Sequence, residues 1–362
     1  MYTRLLTFLR CPVCAGEMTL EPLAMTPADD DEVSEGLLRC HAGHVFPVVR
    51  GVPRLLPDSL AEHLPALRRV PLDGASPSAR ALMDDLASQA SGRFDYDERT
   101  RASFSTEWEH HELGDKTWGM ELDYRVNTFF VSSIGLSAEE LKTKVMLDAG
   151  CGNGSQSVAY TALGLEVIAI DLSSGVEHGQ AFRAKYPGAR PDRVHFIQAD
   201  LQHPPLADAC VDIIHSAGVL HHPPGTEQTF RRLCRVLRPD GTFYVWLYKY
   251  ERIVTPVVNT IRRGTVRLPA PTFDRVARAG AGAFRAFCAV LNRTGVRAYP
   301  PLTQREAALA LTDIFGVPYA HYHSFPEVER WFRSEGFGEI WPANESRRGF
   351  GVCGRRNGRE AA

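Results

Sequence analysis

The stretch Lys144-Val-Met-Leu-Asp-Ala-Gly-Cys-Gly-Asn-Gly-Ser155 runs from a short apolar segment into a glycine-rich turn. The apolar segment has the length of a buried strand, and the closely spaced glycines let the backbone turn tightly and approach a ligand at the start of a helix. A dinucleotide-binding turn has the spacing G-x-G-x-x-G, whereas here the third glycine comes one position early and Ser155 stands in its place. The turn alone therefore identifies no particular ligand.

The sequence after this turn alternates short apolar runs with segments of helical length. The runs are EVIAIDL, VHFIQAD, VDIIHSAG and GTFYVWLY, followed, after a helical pattern at 327–334, by FGEIW and GFGVCGRR. Such alternation is typical of an open parallel sheet with helices on both faces. We therefore predict the α/β class with a doubly wound sheet of seven strands. Residues 251–320 interrupt the alternation with amphipathic stretches, which predicts a mostly helical insertion after the fifth strand.

Three acidic residues stand at the carboxyl ends of successive predicted strands. Asp148 belongs to the first strand, Asp171 ends the second and Asp200 follows the third. Because these ends border the ligand crevice of an open α/β sheet, the three carboxylates are expected to converge on one site. Asp171 lies 23 residues after Asp148, an interval that suits a carboxylate bound to the two hydroxyls of a ribose.

The motifs LDAGCGNG, AIDLS, QADLQHPPL and SAGVLHH together resemble those of the class I S-adenosylmethionine-dependent methyltransferases, over about residues 100–250. The resemblance implies a Rossmann-like sheet on which the three glycines face the methionine part of the cofactor. It also implies that Asp171 binds the ribose and that Asp200 and Leu201 contact the adenine. The positions assigned to the cofactor in these motifs are Asp148, Gly150, Gly152, Gly154, Asp171, Leu172, Asp200, Leu201 and Ser216. The alternative is a nucleotide-binding fold of other chemistry.

Upstream of these motifs, Phe104-Ser-Thr-Glu-Trp108 resembles an F-x-x-x-W segment that caps the cofactor in some small-molecule methyltransferases. On that interpretation Phe104 and Trp108 bind the cofactor. The alternative is an aromatic pair at helical i, i+4 spacing that packs into the core.

A cluster of cysteine and histidine residues near the N-terminus has the spacing of a metal site. Cys11 and Cys14 are separated by two residues, and Cys40 and His44 by three, so that two turns supply four ligands for tetrahedral structural zinc. The segment also resembles the zinc-ribbon proteins that activate methyltransferases and the N-terminal module of rRNA guanine-N1 methyltransferases. His44 departs from an all-cysteine ribbon, which favours the second resemblance. The alternative is a metal-free loop.

The amino-acid composition and net charge of the chain argue against several classes of protein. The chain has 362 residues, 41 basic and 43 acidic side chains and a net charge of −2. It lacks the strong overall positive field of a protein held electrostatically to nucleic acid or to an anionic membrane. The first residues contain too short an apolar run for a signal peptide, and no apolar run reaches 18 residues, which predicts a cytoplasmic protein with no membrane span. Eight cysteines are too few for a disulfide scaffold.

These patterns divide the chain into five predicted segments. They are a zinc-ribbon module at 1–57, a linker and helix at 58–100, the methyltransferase core at 101–250, a helical insertion that serves as a substrate lid at 251–320, and the end of the core at 321–362. The linker is predicted because prolines interrupt every periodic pattern in residues 57–78, and the helix because residues 79–90 show a helical pattern.

Several residues are candidates for the chemistry. A methyl transfer is an in-line displacement, so the protein must mainly align a nucleophile and remove its proton. His221 and His222 follow the fourth strand at the crevice, and one of them is predicted to act as the base; the alternative is that they shape the loop. Tyr248, His321 and His323 are predicted to contact the substrate, and His110 and His111 are weaker candidates beside the predicted cap.

Three functions remain open from the sequence. The first is a methyltransferase for an O or N nucleophile of a small molecule, in specialised metabolism. The second is an rRNA or tRNA base methyltransferase, favoured by the metal module and by nine arginines between positions 251 and 297. That basic stretch suits an anionic substrate, RNA or a membrane surface, or else is the solvated face of amphipathic helices. The third is a protein that binds the cofactor without transferring a methyl group. The sequence gives no oligomeric state.

Overall fold

The N-terminal part of the protein is a small antiparallel sheet. A computed structural model describes residues 1–27, 29–86, 94–109, 116–117, 120–294, 301–346 and 348–358. After a 3₁₀ turn at Thr3–Thr7 come β1 (Met18–Thr26), β2 (Asp29–Cys40), β3 (Val45–Val49) and β4 (Val52–Pro53), which pair in that order. Leu37 and Leu38 of β2 point to opposite faces and belong to different apolar clusters, so both faces of this sheet are buried.

Two helices cover one face of the N-terminal sheet. They are α1 (Ser59–Leu67) and α2 (Pro77–Asp85), and the second overlaps the helix predicted at 79–90 but begins two residues before it. The first lies in the region predicted as a linker, so that part of the prediction differs from the structure. Leu60 and Leu67 of α1 pack into the same apolar cluster as Leu37. Their burial outweighs the backbone hydrogen bond that Pro65, inside α1, cannot donate.

The second sheet has seven strands, as predicted. They are β5 (Val145–Ala149), β6 (Glu166–Asp171), β7 (Val194–Gln198), β8 (Val211–Ala217), β9 (Leu237–Tyr248), β10 (Phe337–Ala343) and β11 (Gly349–Arg356). Their spatial order is β10-β11-β9-β8-β5-β6-β7. The pairs from β9 to β7 are parallel, and β11 is antiparallel to both of its neighbours. The α/β class is confirmed, with one antiparallel strand that the prediction did not contain.

Helices lie on both faces of this sheet. Before β5 come α3 (Glu98–Glu109), α4 (Leu122–Tyr124), a π-helical turn (Arg125–Phe130), α5 (Val131–Ile134) and α6 (Ala138–Leu141). Between the strands come α7 (Ser155–Tyr160), α8 (Val176–Phe182) and α9 (Thr226–Val236). Short 3₁₀ turns stand at Thr161–Leu163 and Pro191–Arg193. Met146 and Leu147 alternate between the two core clusters, which explains the uninterrupted apolar runs of these strands.

The predicted insertion after β9 is helical. It contains α10 (Val254–Thr265), α11 (Ala270–Arg293) and α12 (Gln304–Phe315), and α13 (Phe325–Ser334) follows before β10. Among the described residues, no helix is long and apolar enough to cross a membrane.

The N-terminal sheet is bound to the edge of the large sheet beside β7. Leu55 N–H donates to Gln198 O at 2.8 Å, and Arg54 Nη1 donates to the Gln198 side chain at 3.0 Å. Arg54 Nη2 also reaches Glu177 Oε1 of α8 at 2.8 Å. Leu38 lies in the same apolar cluster as residues of β5, β6 and β7. The two sheets therefore share one hydrophobic core, although the sequence suggested a self-contained module.

Candidate functional site

A cavity of about 1320 Å³ opens at the carboxyl ends of the parallel strands. The ends of β5, β6, β8 and β9 and the loop after β7 supply its floor, and side chains of α3 and of the segment around Arg125 also line it. This is the edge at which open α/β sheets bind ligands.

The glycine-rich turn forms one wall of the cavity. Gly150 and Gly152 have positive φ angles of 90° and 57°, which other residues adopt only with strain. A Cβ atom added at Gly152 would lie 2.7 Å from the Trp108 ring, and one at Gly150 would lie 2.3 Å from Val219. Both positions therefore require glycine for conformation and for space. Gly154 has a φ of 71° but does not line the cavity; its Cα lies against Gly179, where α7 packs on α8.

The three predicted carboxylates all line the cavity. Asp171 is held by the glycine-rich turn and by its own loop, because Gly152 N–H donates to Oδ2 at 2.8 Å and Ser173 donates to Oδ1 from its N–H and hydroxyl. Asp200 accepts the Gln202 N–H at 2.8 Å. Burial raises the pKa of Asp171 and of Asp200, since removal from water penalises the charged form. The carboxylates are thus fixed in position and poorly hydrated, which suits them to bind hydroxyl or amino groups.

The remaining positions assigned to the cofactor divide into two groups. Leu172 and Leu201 line the cavity beside Asp171 and Asp200. Ser216 does not line it; this residue is fully buried, and its hydroxyl donates to Ala149 O at 2.8 Å. The side chain of Ser216 therefore ties β8 to β5 and has no free face toward a ligand. Asp148 accepts the Ser157 hydroxyl at 2.6 Å, and its Oδ1 lies 3.8 Å from His215 Nδ1.

The two predicted aromatic residues, Phe104 and Trp108, lie on α3 and line the cavity. Phe104 meets the His222 ring edge-on, with 5.1 Å between the ring centres. Trp108 lies over the glycine-rich turn, as the crowding at Gly152 indicates. Both side chains thus line the cavity, and their role as a cap over the cofactor stays a prediction.

Glu107, between these aromatic residues, is a cavity residue that the sequence did not single out. Its side chain is buried, and its Oε2 atom has no hydrogen-bond partner within the described part of the chain. Burial, together with the neighbouring Asp313 and Asp171, raises the pKa of Glu107 well above its usual range. Burial therefore favours the neutral form of this carboxyl group, which is the form that can donate a hydrogen bond into the cavity. The only local signal was a charged residue inside the F-x-x-x-W segment.

Arg125 is a second residue that sequence reasoning missed. It lines the cavity and donates from its guanidinium to the Gln156 side chain. Burial lowers the pKa of Arg125 to about 10, so the group remains charged at neutral pH and lies in the field of Asp148. The cavity thus holds a half-buried cation beside the glycine-rich turn, where it could bind a carboxylate.

The two histidines of the candidate base pair have different surroundings. His222 Nδ1 lies 2.9 Å from Tyr319 O, and its Nε2 lies 3.2 Å from Asp313 Oδ1, an ion-pair distance outside hydrogen-bond geometry. Both nitrogens of His222 therefore face oxygens that accept hydrogen bonds. His221 is stacked on Tyr248 at 3.8 Å, and neither ring nitrogen has a partner among the described residues. Burial and the nearby His222 lower the pKa of His221 well below its usual value, so this imidazole is neutral.

Tyr248, predicted to contact substrate, lines the cavity and donates its hydroxyl to Asp313 of α12. Burial and the adjacent Asp313 raise the pKa of Tyr248 well above its usual range, so the phenol stays protonated. Asp313 thereby joins Tyr248 to His222 in one polar group, although no motif in the sequence singles Asp313 out.

His321 and His323, also predicted to contact substrate, do not line the cavity. His323 uses both ring nitrogens for structure, with Glu327 Oε1 at 3.0 Å and Thr226 Oγ1 at 3.2 Å. The backbone N–H of His321 donates to His221 O at 2.9 Å and so positions the histidine loop. His110 and His111 lie outside the described residues.

The four predicted metal ligands lie together beside the N-terminal sheet. One ligand atom from each of Cys11, Cys14, Cys40 and His44 falls within 4.8 Å of the others. Nδ1 of His44 lies 3.5 Å from Cys11 Sγ and 3.4 Å from Cys40 Sγ. Sulfur and imidazole ligands in this number fit a closed tetrahedral zinc site.

Residues 147–245 match the family model described as a methyltransferase domain. The predicted resemblance is therefore confirmed for this segment. Malonyl-[acyl-carrier protein] O-methyltransferase from Methylovorus sp. is 33% identical over 110 residues, which are 29% of this chain and 37% of that protein. Methyltransferase GfsG from Streptomyces halstedii is 29% identical over 173 residues, 47% of this chain and 55% of that protein.

The matched segment spans roughly a third of the length of several of these curated relatives, including the one from Methylovorus. Among solved structures it is similar to magnesium protoporphyrin IX methyltransferase from Synechocystis with bound S-adenosylhomocysteine. That similarity has a TM-score of 0.39 at 14% identity and covers 74% of this chain and 90% of the other.

Proposed function

We propose that this protein transfers a methyl group from S-adenosylmethionine to an oxygen or nitrogen atom of a small molecule. The observation that carries the proposal is one cavity in which the glycine-rich turn and the buried carboxylates meet the histidine loop. The match of residues 147–245 to the methyltransferase domain supports the reaction class. Methyl transfer to an oxygen atom is consistent with the name of the relative from Methylovorus.

The residues of the cavity suit the cofactor. The glycine-rich turn offers close backbone approach without a phosphate cradle, which is what a cofactor without phosphates needs. Asp171 is placed to bind the ribose hydroxyls, Asp200 and Leu201 to contact the adenine, and the Arg125 guanidinium to pair with the methionine carboxylate. Phe104 and Trp108 are placed to cover the bound cofactor and keep water out. When bound, S-adenosylmethionine supplies a methyl group already activated by its sulfonium.

His221 is the better of the two candidates for the general base. Its neutral ring has a nitrogen lone pair available at the cavity, whereas both nitrogens of His222 face acceptor oxygens. The stack on Tyr248 fixes the plane of the His221 ring. We assign His222 with Asp313 and Tyr248 to holding the loop and orienting the acceptor.

The proposal is tested by the product. Purified protein, labelled S-adenosylmethionine and a metabolite extract are expected to give S-adenosylhomocysteine and a labelled small molecule whose formation survives nuclease treatment. Label that disappears after nuclease treatment would instead indicate an RNA acceptor, and cofactor binding without turnover in every extract would overturn methyl transfer.

An Asp171→Ala variant is expected to bind the cofactor about 1–3 kcal/mol more weakly, the scale of lost charge-assisted hydrogen bonds.

We also propose that the cluster of Cys11, Cys14, Cys40 and His44 binds one structural zinc ion. Four protein ligands leave no open coordination position for catalysis. The ion would link the loop before β1 to the turn between β2 and β3, and so close one end of the N-terminal sheet.

A further inference from the structure

The exposed face of α10 is apolar. Ile253, Val257 and Ile261 are 79%, 57% and 48% exposed and recur at the spacing of one helix face. The opposite face of the helix is buried at Thr255 and Arg262. Arg262 anchors it by donating to Ile314 O at 2.5 Å and to Val317 O at 2.8 Å. This helix is therefore held by one side and presents aliphatic side chains on the other.

A second apolar stripe runs along α11. Val276, Phe287 and Val290 are each more than half exposed, and their spacing of eleven and then three residues places them on one face. Phe273, Ala277, Ala281 and Cys288 occupy the buried face of the same helix. At about 1.5 Å per residue, α11 extends roughly 36 Å, so the stripe is long and narrow.

Exposed positive charge accompanies both apolar faces. Seven arginines of the described residues 251–294 are exposed: Arg252, Arg263, Arg267, Arg275, Arg278, Arg285 and Arg293. The two acidic residues in this range are not exposed to a comparable extent, since Glu251 is half-buried and Asp274 is buried. Asp274 Oδ2 pairs with Arg278 at 2.6 Å. The insertion is thus strongly basic in a chain whose net charge is −2.

The ends of the two helices adjoin the cavity. Lys249 and Glu251, shortly before α10, and Asn292, in the last turn of α11, line it. The exposed apolar residues themselves do not line it: Val290 precedes Asn292 by two residues, and residues two apart on a helix point in nearly opposite directions.

We propose that the exposed faces of α10 and α11, whose helix ends adjoin the cavity, bind an anionic lipid surface. Helices that combine an apolar face with arginine lie in the interface plane, where apolar burial and attraction to anionic lipids act together. A second copy of the chain would set seven arginines against seven others, which opposes self-association. The phosphate backbone of RNA would leave the aliphatic residues exposed. This inference goes beyond the proposed methyl transfer and does not rest on it.

The test is sedimentation of the full-length protein with vesicles. Binding is expected to vesicles of phosphatidylcholine with about one third phosphatidylglycerol, to weaken as salt screens the charges, and to be weak with phosphatidylcholine alone. Arg263→Gln with Arg267→Gln should lower partitioning about 25-fold, because each arginine near an anionic surface contributes about 1 kcal/mol, which is about fivefold. Val257→Ser with Phe287→Ser should lower it about tenfold or more, since their apolar burial is lost.

Matched controls come from another part of the surface. Met25→Ser and Arg69→Gln remove an exposed apolar and an exposed basic side chain outside the insertion and should leave binding unchanged. No binding to anionic vesicles, or equal loss in the controls, would overturn the proposal. It would also fail if Val257→Ser with Phe287→Ser left vesicle binding intact, which would indicate general polyanion binding. Dimerisation in analytical ultracentrifugation that is lost in that variant, without vesicle binding by the wild type, would assign the surface to a second copy.

Discussion

The neighbouring residues His221 and His222 differ in the hydrogen-bond partners of their rings, and this difference decides which of them can act as a base. Both follow the same strand, and the sequence alone makes them equal candidates for the base. In the structure His222 has acceptors at both nitrogens, one of them the carbonyl of Tyr319, 97 residues away. His221 is stacked on Tyr248 and keeps both nitrogens without a partner among the described residues. No local pattern could have distinguished them, because the partners come from distant segments.

Replacement of His221 tests its role as the general base. His221→Ala is expected to lower turnover roughly 10²–10⁴-fold and to change cofactor affinity by no more than a few-fold, because proton removal belongs to the transition state. Since the pKa of His221 is lowered, wild-type kcat/KM should rise with pH only below about 6.5 and stay level above it as far as this group is concerned. Kinetics and calorimetry on the wild type and the variant measure both quantities.

Two results would contradict this assignment. The first is a His221→Ala variant that keeps more than about a tenth of wild-type turnover, since a positioned base contributes at least about 10². The second is a rise of wild-type kcat/KM with pH near the ordinary histidine pKa of about 6.5, if the same rise persists in the variant. An acceptor already ionised when bound, such as a carboxylate, would produce the first result and exclude a base from the mechanism.

The buried carboxyl of Glu107 should make the protein less stable as pH rises. Its pKa is raised in the folded state, so between the unfolded value of about 4.5 and the folded value the native protein binds one more proton than the unfolded chain. Glu107→Gln removes this dependence. The free energy of unfolding of the variant should therefore equal or exceed that of the wild type above pH 4.5, with a difference that grows by up to about 1.4 kcal/mol per pH unit.

Denaturant unfolding of the cofactor-free protein at several pH values measures this difference. Glu109→Gln, an exposed carboxylate on the same helix, is the matched control and should show no comparable trend. A constant difference between Glu107→Gln and the wild type from pH 4.5 to 8 would mean that Glu107 is ionised in the folded protein.

At the level of elements, local pattern predicted strands better than it predicted the connections between them. The apolar runs of β5 to β8 are buried on both faces, so their sequences carry a continuous signal. The helix α1 was missed because Pro65 masks its periodicity, while the apolar residues that justify it lie in β1, β2 and β3. The sequence motif identified Phe104 and Trp108 on the part of α3 that lines the cavity. It could not identify Glu107, because the pKa of this carboxyl group is raised by burial in the folded protein.

The stability of the N-terminal sheet should depend on bound zinc, and loss of the ion should also weaken cofactor binding. Arg10 N–H donates to Pro205 O at 2.9 Å, and Ala207 N–H donates to Phe8 O at 2.8 Å, so the metal loop is bonded to the segment that follows Asp200. Cys14→Ser is expected to lose bound zinc, to lower the melting temperature by several degrees and to weaken cofactor binding a few-fold, because removing one ligand from a closed site removes most of its binding energy.

Metal analysis, calorimetry and thermal unfolding of the same preparations check this expectation. His41→Ala is the control, since His41 is exposed and adjoins Cys40 but lies outside the ligand cluster. The assignment would fail if the wild type contained no zinc or if Cys14→Ser kept full occupancy.

For the whole molecule, the sequence predicted the sheet and the cavity residues at the strand ends more fully than the cavity residues from other segments. The ends of parallel strands meet at one edge of the sheet, so the position of Asp171 and Asp200 at the cavity could be predicted, while their roles stay predictions. Arg125 and Asp313 could not, because they reach the cavity from segments without a recognisable motif. The same limit explains why His323 was expected at the substrate and is instead bonded to Glu327 and Thr226.

The bond between Leu55 and Gln198 joins positions 143 residues apart in the chain. During synthesis on the ribosome, at about 5–20 residues per second, the N-terminal segment emerges roughly 7–30 seconds before β7 is available to it. One face of the small sheet, including Leu38 and Phe46, has no partner from the large sheet during that interval. The nascent chain therefore exposes an apolar surface that a chaperone would need to shield from aggregation. Slower translation would lengthen the time for which this surface is exposed.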